Sequence, residues 1–146
     1  IIYKKTASLL GVSASAGALA VGATRDKVAT MRRFGEAVGM AFQIQDDILD
    51  YTPSAQTGKP ACNDLREGKI TLPLLAVLDR ASAERRADLL GRLARCHEDD
   101  SEVEYLRGVV EQEGGLSFAA ESCRDTSRVP WGCSPTTRIP NTARHW

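Results

Sequence analysis

The chain has 146 residues, 19 basic and 19 acidic, with 42% hydrophobic and 5% aromatic content, enough for one modest soluble domain. A formal charge of zero argues against a nucleic-acid binder, which needs a basic excess to neutralise phosphates. Nor is the composition acidic or repetitive enough for a wholly disordered chain.

Helical periodicity dominates and two-residue alternation is scarce, so the expected class is all-α. An uncharged stretch from Ala7 to Thr24 follows Lys4 and Lys5 and has the outline of a signal peptide. Its large apolar residues are only Leu9, Leu10, Val12, Leu19 and Val21, whereas a bilayer-spanning helix needs about 20 predominantly apolar residues. The better reading is a buried helix over roughly Tyr3 to Val21 whose small residues let neighbouring backbones approach closely. Gly22, Ala23 and Thr24 break it, and Thr24 can cap a second helix running to about Tyr51. Along that helix Met31, Phe34, Val38, Ala41, Phe42, Gln45, Ile48 and Leu49 share one side, expected to face the core, while Gln43, Asp46, Asp47 and Asp50 share the other.

From Thr52 to Ile70 the pattern stops at Pro53, Gly58, Pro60, Asn63 and Gly68, which predicts a loop with at most a short helical turn. Thr71 then caps a helix of about ten residues, with Pro73 tolerated in its first turn because the amide it lacks would be unpaired there. Ser82 starts a helix to about Arg95. Asp100 or Ser101 caps another, running to Glu113 and ended by Gly114 and Gly115. Leu116 to Glu121 opens one more helix. Residues 122–146 carry four Arg and one Asp, three spaced prolines and almost no aliphatic residues. They read as an irregular or disordered tail, spliced on or frame-shifted, after a domain ending near residue 121. Four cysteines without any C-x-x-C pair suggest free reduced thiols in a cytoplasmic protein.

Chemistry concentrates in D-D-x-x-D, formed by Asp46, Asp47 and Asp50 one helical turn apart. Like charges so close repel unless a cation sits among them. An all-oxygen set suits a hard ion such as Mg²⁺, which bridges carboxylate to phosphate. Gln43 lies one turn earlier and Gly39 a further turn back, where it is expected to keep that face open near the backbone. Downstream come Gly58-Lys59, Asp64 and Gly68-Lys69, leading into Thr71-Leu72-Pro73, and Lys5-Thr6 lies on the first helix. Lysines beside flexible glycines are what a diphosphate requires for neutralisation.

The order K-T, F-Q-x-x-D-D-x-x-D and G-K-x-x-x-x-D-L-x-x-G-K-x-T-L-P, over about Ile1 to Glu121, resembles the trans-isoprenyl diphosphate synthases, or polyprenyl synthetase family. The resemblance implies the C-terminal part of the isoprenoid synthase helical bundle. It also implies Mg²⁺-dependent condensation of isopentenyl diphosphate with an allylic diphosphate, releasing pyrophosphate. By it, Asp46, Asp47 and Asp50 form the second aspartate-rich, metal-binding motif. Lys5, Thr6, Gln43, Lys59 and Lys69 match positions contacting the allylic substrate, with Lys5, Thr6 and Gln43 in catalytic roles. Phe42 is expected to pack beneath the helix.

The family's first aspartate-rich motif has no counterpart, and His97-Glu98-Asp99-Asp100 is better explained by a helix start. The expectation is therefore a C-terminal part of a synthase, inactive alone and homodimeric in full-length form, with no nucleic-acid partner and no transmembrane segment. The alternative is a non-catalytic helical partner subunit of a heteromeric synthase.

Overall fold

The computed structural model describes residues 6–52 and 61–127. They form seven helices, α1 (Ser8–Ala20), α2 (Arg25–Asp50), α3 (Asn63–Arg66), α4 (Leu72–Arg80), α5 (Ala83–Leu93), α6 (Asp100–Gln112) and α7 (Gly115–Ser127). No strand occurs among the described residues, as the periodicity predicts. The last helix does not stop at Glu121 but continues to Ser127; the remainder of the expected tail, residues 128–146, lies outside the described residues. The chain divides into two compact units, Ile1–Ile44 with Glu121–Trp146, and Gln45–Ala120.

In the first unit, small residues set how closely α1 and α2 approach. A Cβ on Gly35 would lie 2.4 Å from the Leu10 carbonyl oxygen, and one on Gly39 would lie 2.6 Å from the Ala7 Cα. Only glycine admits backbone at that distance. Gly39 therefore does not leave an open face, as its spacing suggests; Ala7 fills it. The docked side of α2 is the glycine side, about 100° round the helix from the aliphatic stripe. That stripe is consequently not core: Phe34, Val38 and Phe42 are exposed. Phe42, at 65% exposure, does not pack beneath the helix. Likewise α1 is not the buried helix expected, since Gly11 is its one buried residue and Leu9, Val12 and Leu19 face out. At the other end of this unit the Cys123 thiol donates to the Ala41 carbonyl at 3.5 Å.

The second unit holds a continuous apolar core, with Leu65, Leu74, Val77, Leu89, Val103, Leu106 and Val110 almost wholly buried. Burying one such side chain stabilises the fold by about 1.5–3 kcal/mol. Residues 72–78 are nearly all apolar, so α4 buries Pro73, Leu74, Ala76, Val77 and Leu78. By contrast α5 and α6 are one-sided, with Val103, Leu106, Val109 and Val110 inward at helical spacing. On their outer side the Arg92 guanidinium stacks 4.0 Å from the Tyr105 ring centroid, and Arg85 donates to the Tyr105 hydroxyl at 2.9 Å. Ser82 caps α5 by accepting from the Arg85 amide. The cap of α6 is Asp99, accepting from the Ser101 amide at 2.8 Å, one residue earlier than the sequence suggests. Gly114, at φ +75°, turns the chain out of α6.

Candidate functional site

In the first unit, the close approach of α1 and α2 brings together two residues 37 positions apart. The Thr6 hydroxyl donates to the Gln43 side-chain oxygen at 3.3 Å in a part-buried setting. Both residues belong to the sequence motifs K-T and F-Q-x-x-D-D-x-x-D. Lys5, their expected companion, lies outside the described residues.

In the second unit, the three carboxylates of D-D-x-x-D occupy different environments. Asp46 is exposed. Asp47 is 4% exposed, and its Oδ2 accepts from the Leu72 amide at 3.4 Å. Asp50 accepts from two consecutive amides, Asn63 to Oδ1 at 3.1 Å and Asp64 to Oδ2 at 3.0 Å, while its carbonyl takes the Cys62 amide at 2.7 Å. Cys62 adopts a left-handed φ of 63°, a costly conformation outside glycine, and thereby aims three successive amides at one aspartate. Burial pushes the Asp50 carboxyl above its usual range; the Asp64 amide opposes this, and the charges of Asp64 and Asp46 add to it.

Two helix starts are thus capped from a distance. Neither α3 nor α4 has a side-chain cap of its own, so free amides at their first turns need outside acceptors. Asp50 supplies them for α3 and Asp47 for α4, where Thr71 does not act as the expected cap. Hydrogen bonds to a charged carboxylate contribute about 1.5–3 kcal/mol each; the 3.0 and 3.1 Å Asp50 bonds have the length for this, and the 3.4 Å Asp47 bond is weaker.

Lys69 lies midway along the short segment between α3 and α4. Its amide donates to the Asp64 carbonyl at 2.8 Å, and its ammonium pairs with Asp64 at 3.3 Å and with Glu67. Hydrogen bonds to Glu67 and then Asp64 raise the Lys69 ammonium above its ordinary value. Lys59, the other expected lysine, lies outside the described residues. Sequence reading placed Asp64 only as a motif letter and missed its grip on Lys69. A five-residue separation across a turn carries no periodic signal that would have revealed it.

Among the described residues no group of three or more His, Cys, Asp or Glu stands arranged to hold a metal ion. The motif's carboxylates are therefore not a preformed three-fold cage. Their donor set still fits a hard divalent cation, being entirely oxygen. A carboxylate oxygen that accepts one amide retains a second lone pair, so the Asp47 and Asp50 bonds do not exhaust those residues. The cysteines Cys62, Cys96 and Cys123 are free, and burial pushes the Cys62 thiol up to about 11.

The chain belongs to the polyprenyl synthetase family, whose model matches residues 1–110. It is 35% identical over 130 residues to the short chain isoprenyl diphosphate synthase of Methanothermobacter thermautotrophicus, a match covering 88% of this chain and 39% of that protein. Among solved structures it resembles geranylgeranyl pyrophosphate synthase from Bacteroides thetaiotaomicron, with TM-score 0.75, 36% identity, 86% of this chain and 41% of that one. It also resembles a polyprenyl synthase from Caulobacter crescentus complexed with calcium and isoprenyl diphosphate, with TM-score 0.73, 35% identity, 86% of this chain and 38% of that one. The chain thus spans about two fifths of the length of the relatives it matches. No helix among the described residues is long and apolar enough to cross a membrane.

Proposed function

We propose that this chain is part of a prenyltransferase that condenses isopentenyl diphosphate with an allylic diphosphate. Asp46, Asp47 and Asp50 are the residues that would hold a divalent cation, Mg²⁺ by the chemistry of the donor set. When bound, such a cation neutralises diphosphate charge as the allylic carbon–oxygen bond breaks. The observation that carries this reading is the D-D-x-x-D helix with its carboxylates tied to the segment bearing Lys69, in a member of this family. Calcium and isoprenyl diphosphate in a solved relative support the ligand class.

The chain's own residues have separable tasks. Lysine donors at positions 69, 59 and 5 hold the diphosphate as it leaves with the bonding pair. Thr6 and Gln43 offer a hydroxyl and an amide dipole to the allylic cation, neither acting as a nucleophile. The double bond of isopentenyl diphosphate then forms the new carbon–carbon bond, and loss of a proton restores the alkene. The chain alone lacks the first aspartate-rich motif, so radiolabelled isopentenyl diphosphate with an allylic diphosphate should give no polyprenyl product.

Binding provides the direct test. Calorimetric titration with inorganic pyrophosphate should give heat only when Mg²⁺ is present, and Asp46→Ala should weaken that binding about tenfold. Pyrophosphate binding indifferent to both Mg²⁺ and Asp46→Ala would refute the assignment, as would labelled product from the chain alone refute its inactivity.

A further inference from the structure

Lys69 is tied into the fold at both ends of its segment. Upstream, Asp50 takes the amides of Asn63 and Asp64. Asp64 then takes the Lys69 amide on its carbonyl and the Lys69 ammonium on its carboxylate. Downstream, Asp47 takes the amide of Leu72, three residues past Lys69. Side chains of α2 therefore fasten the turn on either side of the lysine.

The exposed Lys69–Asp64 pair adds little to stability, because solvent screens it. Its effect is directional. An ammonium has three donors, and Asp64 and Glu67 both pair with this one, which restricts the directions left to a remaining donor. A lysine arm held in this way loses less freedom on meeting an anion than one that swings on four methylenes.

We propose that Asp50 and Asp64 are positioning residues for Lys69: Asp50 fixes the start of α3, and Asp64, held there, aims the lysine at its diphosphate. The ligand in this statement rests on the function proposed above. The positioning itself can be read without any ligand.

The experiment is competitive acetylation of the full chain with trace acetic anhydride, read by peptide mass spectrometry as the Lys69 rate relative to Lys27. In Asp50→Asn and in Asp64→Asn, the Lys69 ratio should rise about threefold as Asp64, one of its two acidic partners, is displaced or loses its charge. It should not change in the exposed control Glu111→Gln. Asp64→Asn leaves both backbone bonds intact, so it decides the matter even if Asp50→Asn proves unstable. An unchanged Lys69 ratio in Asp64→Asn overturns the proposal, as does an unchanged ratio in a folded Asp50→Asn.

Titration with inorganic pyrophosphate and Mg²⁺ separates positioning from a merely structural role. Asp64→Asn should weaken binding about threefold in the parent chain and not at all in a Lys69→Ala background. Equal weakening in both backgrounds overturns the proposal. Absence of pyrophosphate binding by the parent chain instead refutes the function proposed above, and the acetylation ratios still decide whether Asp50 and Asp64 hold Lys69.

Discussion

Replacing Gly39 with alanine sets helix propensity against close packing, and the structure decides which prevails. Within α2 the change gains about 1 kcal/mol of intrinsic preference. The new Cβ, however, would lie 2.6 Å from the Ala7 Cα, 3.1 Å from the Ala7 nitrogen and 3.1 Å from the Leu10 Cδ1. Two of these are backbone atoms with no rotamer to change, so α1 must retreat by about 1 Å to restore ordinary contact. Overpacking of this kind costs about 1–3 kcal/mol, which leaves a net loss of about 1 kcal/mol. The retreat also lengthens the 3.3 Å Thr6–Gln43 bond beyond useful range. Gly17→Ala in α1 is the control, since nothing lies within 4 Å of its Cβ; it should be stabilising by up to about 1 kcal/mol. The two variants should therefore differ by about 2 kcal/mol, roughly thirtyfold in the folded-to-unfolded ratio. Urea unfolding followed by circular dichroism, with equal slopes, measures this. Gly39→Ala as stable as Gly17→Ala would show that α1 does not dock against α2 at the glycines.

Two further outcomes follow from the second unit. Leu106→Ala, at a fully buried core position, should cost about 2–5 kcal/mol by the same urea measurement; a loss no larger than that of a surface substitution would mean that α6 does not pack on this core. Acidification should also destabilise the chain through Glu102, whose carboxylate receives Arg95 at 2.6 Å and Arg92 at 2.8 Å and is held, chiefly by Arg95, below its ordinary 4.5. With the folded value depressed, the unfolded chain takes up the proton first. The contribution is then complete above 4.5 and disappears as the pH falls through the folded value. Urea midpoints of Glu102→Gln should show a flatter acid limb than the parent, and parallel limbs would remove Glu102 from the account.

Much of the helical framework was legible because its signals are local. Gly22 turned the chain out of α1 just before α2 begins, Ser82 capped α5, and Gly114 closed α6. Each of these acts within a few residues of itself, through backbone freedom or a nearby side-chain oxygen. The D-D-x-x-D spacing likewise put Asp46, Asp47 and Asp50 on one helix. The same local reasoning went wrong at Thr71, which has the right chemistry for a cap but leaves that role to Asp47.

What the sequence determined alone was therefore the class of fold and most of the places where helices start and stop. Tertiary structure decided which side of α2 is covered, and it turned Phe42 outward and the glycines inward. It also decided that Asp50 and Asp47 act as caps for helices that begin 13 and 25 residues later. The physical reason is range. Propensity and capping depend on neighbours along the chain, whereas burial and the partners of a carboxylate depend on what the folded chain brings beside it.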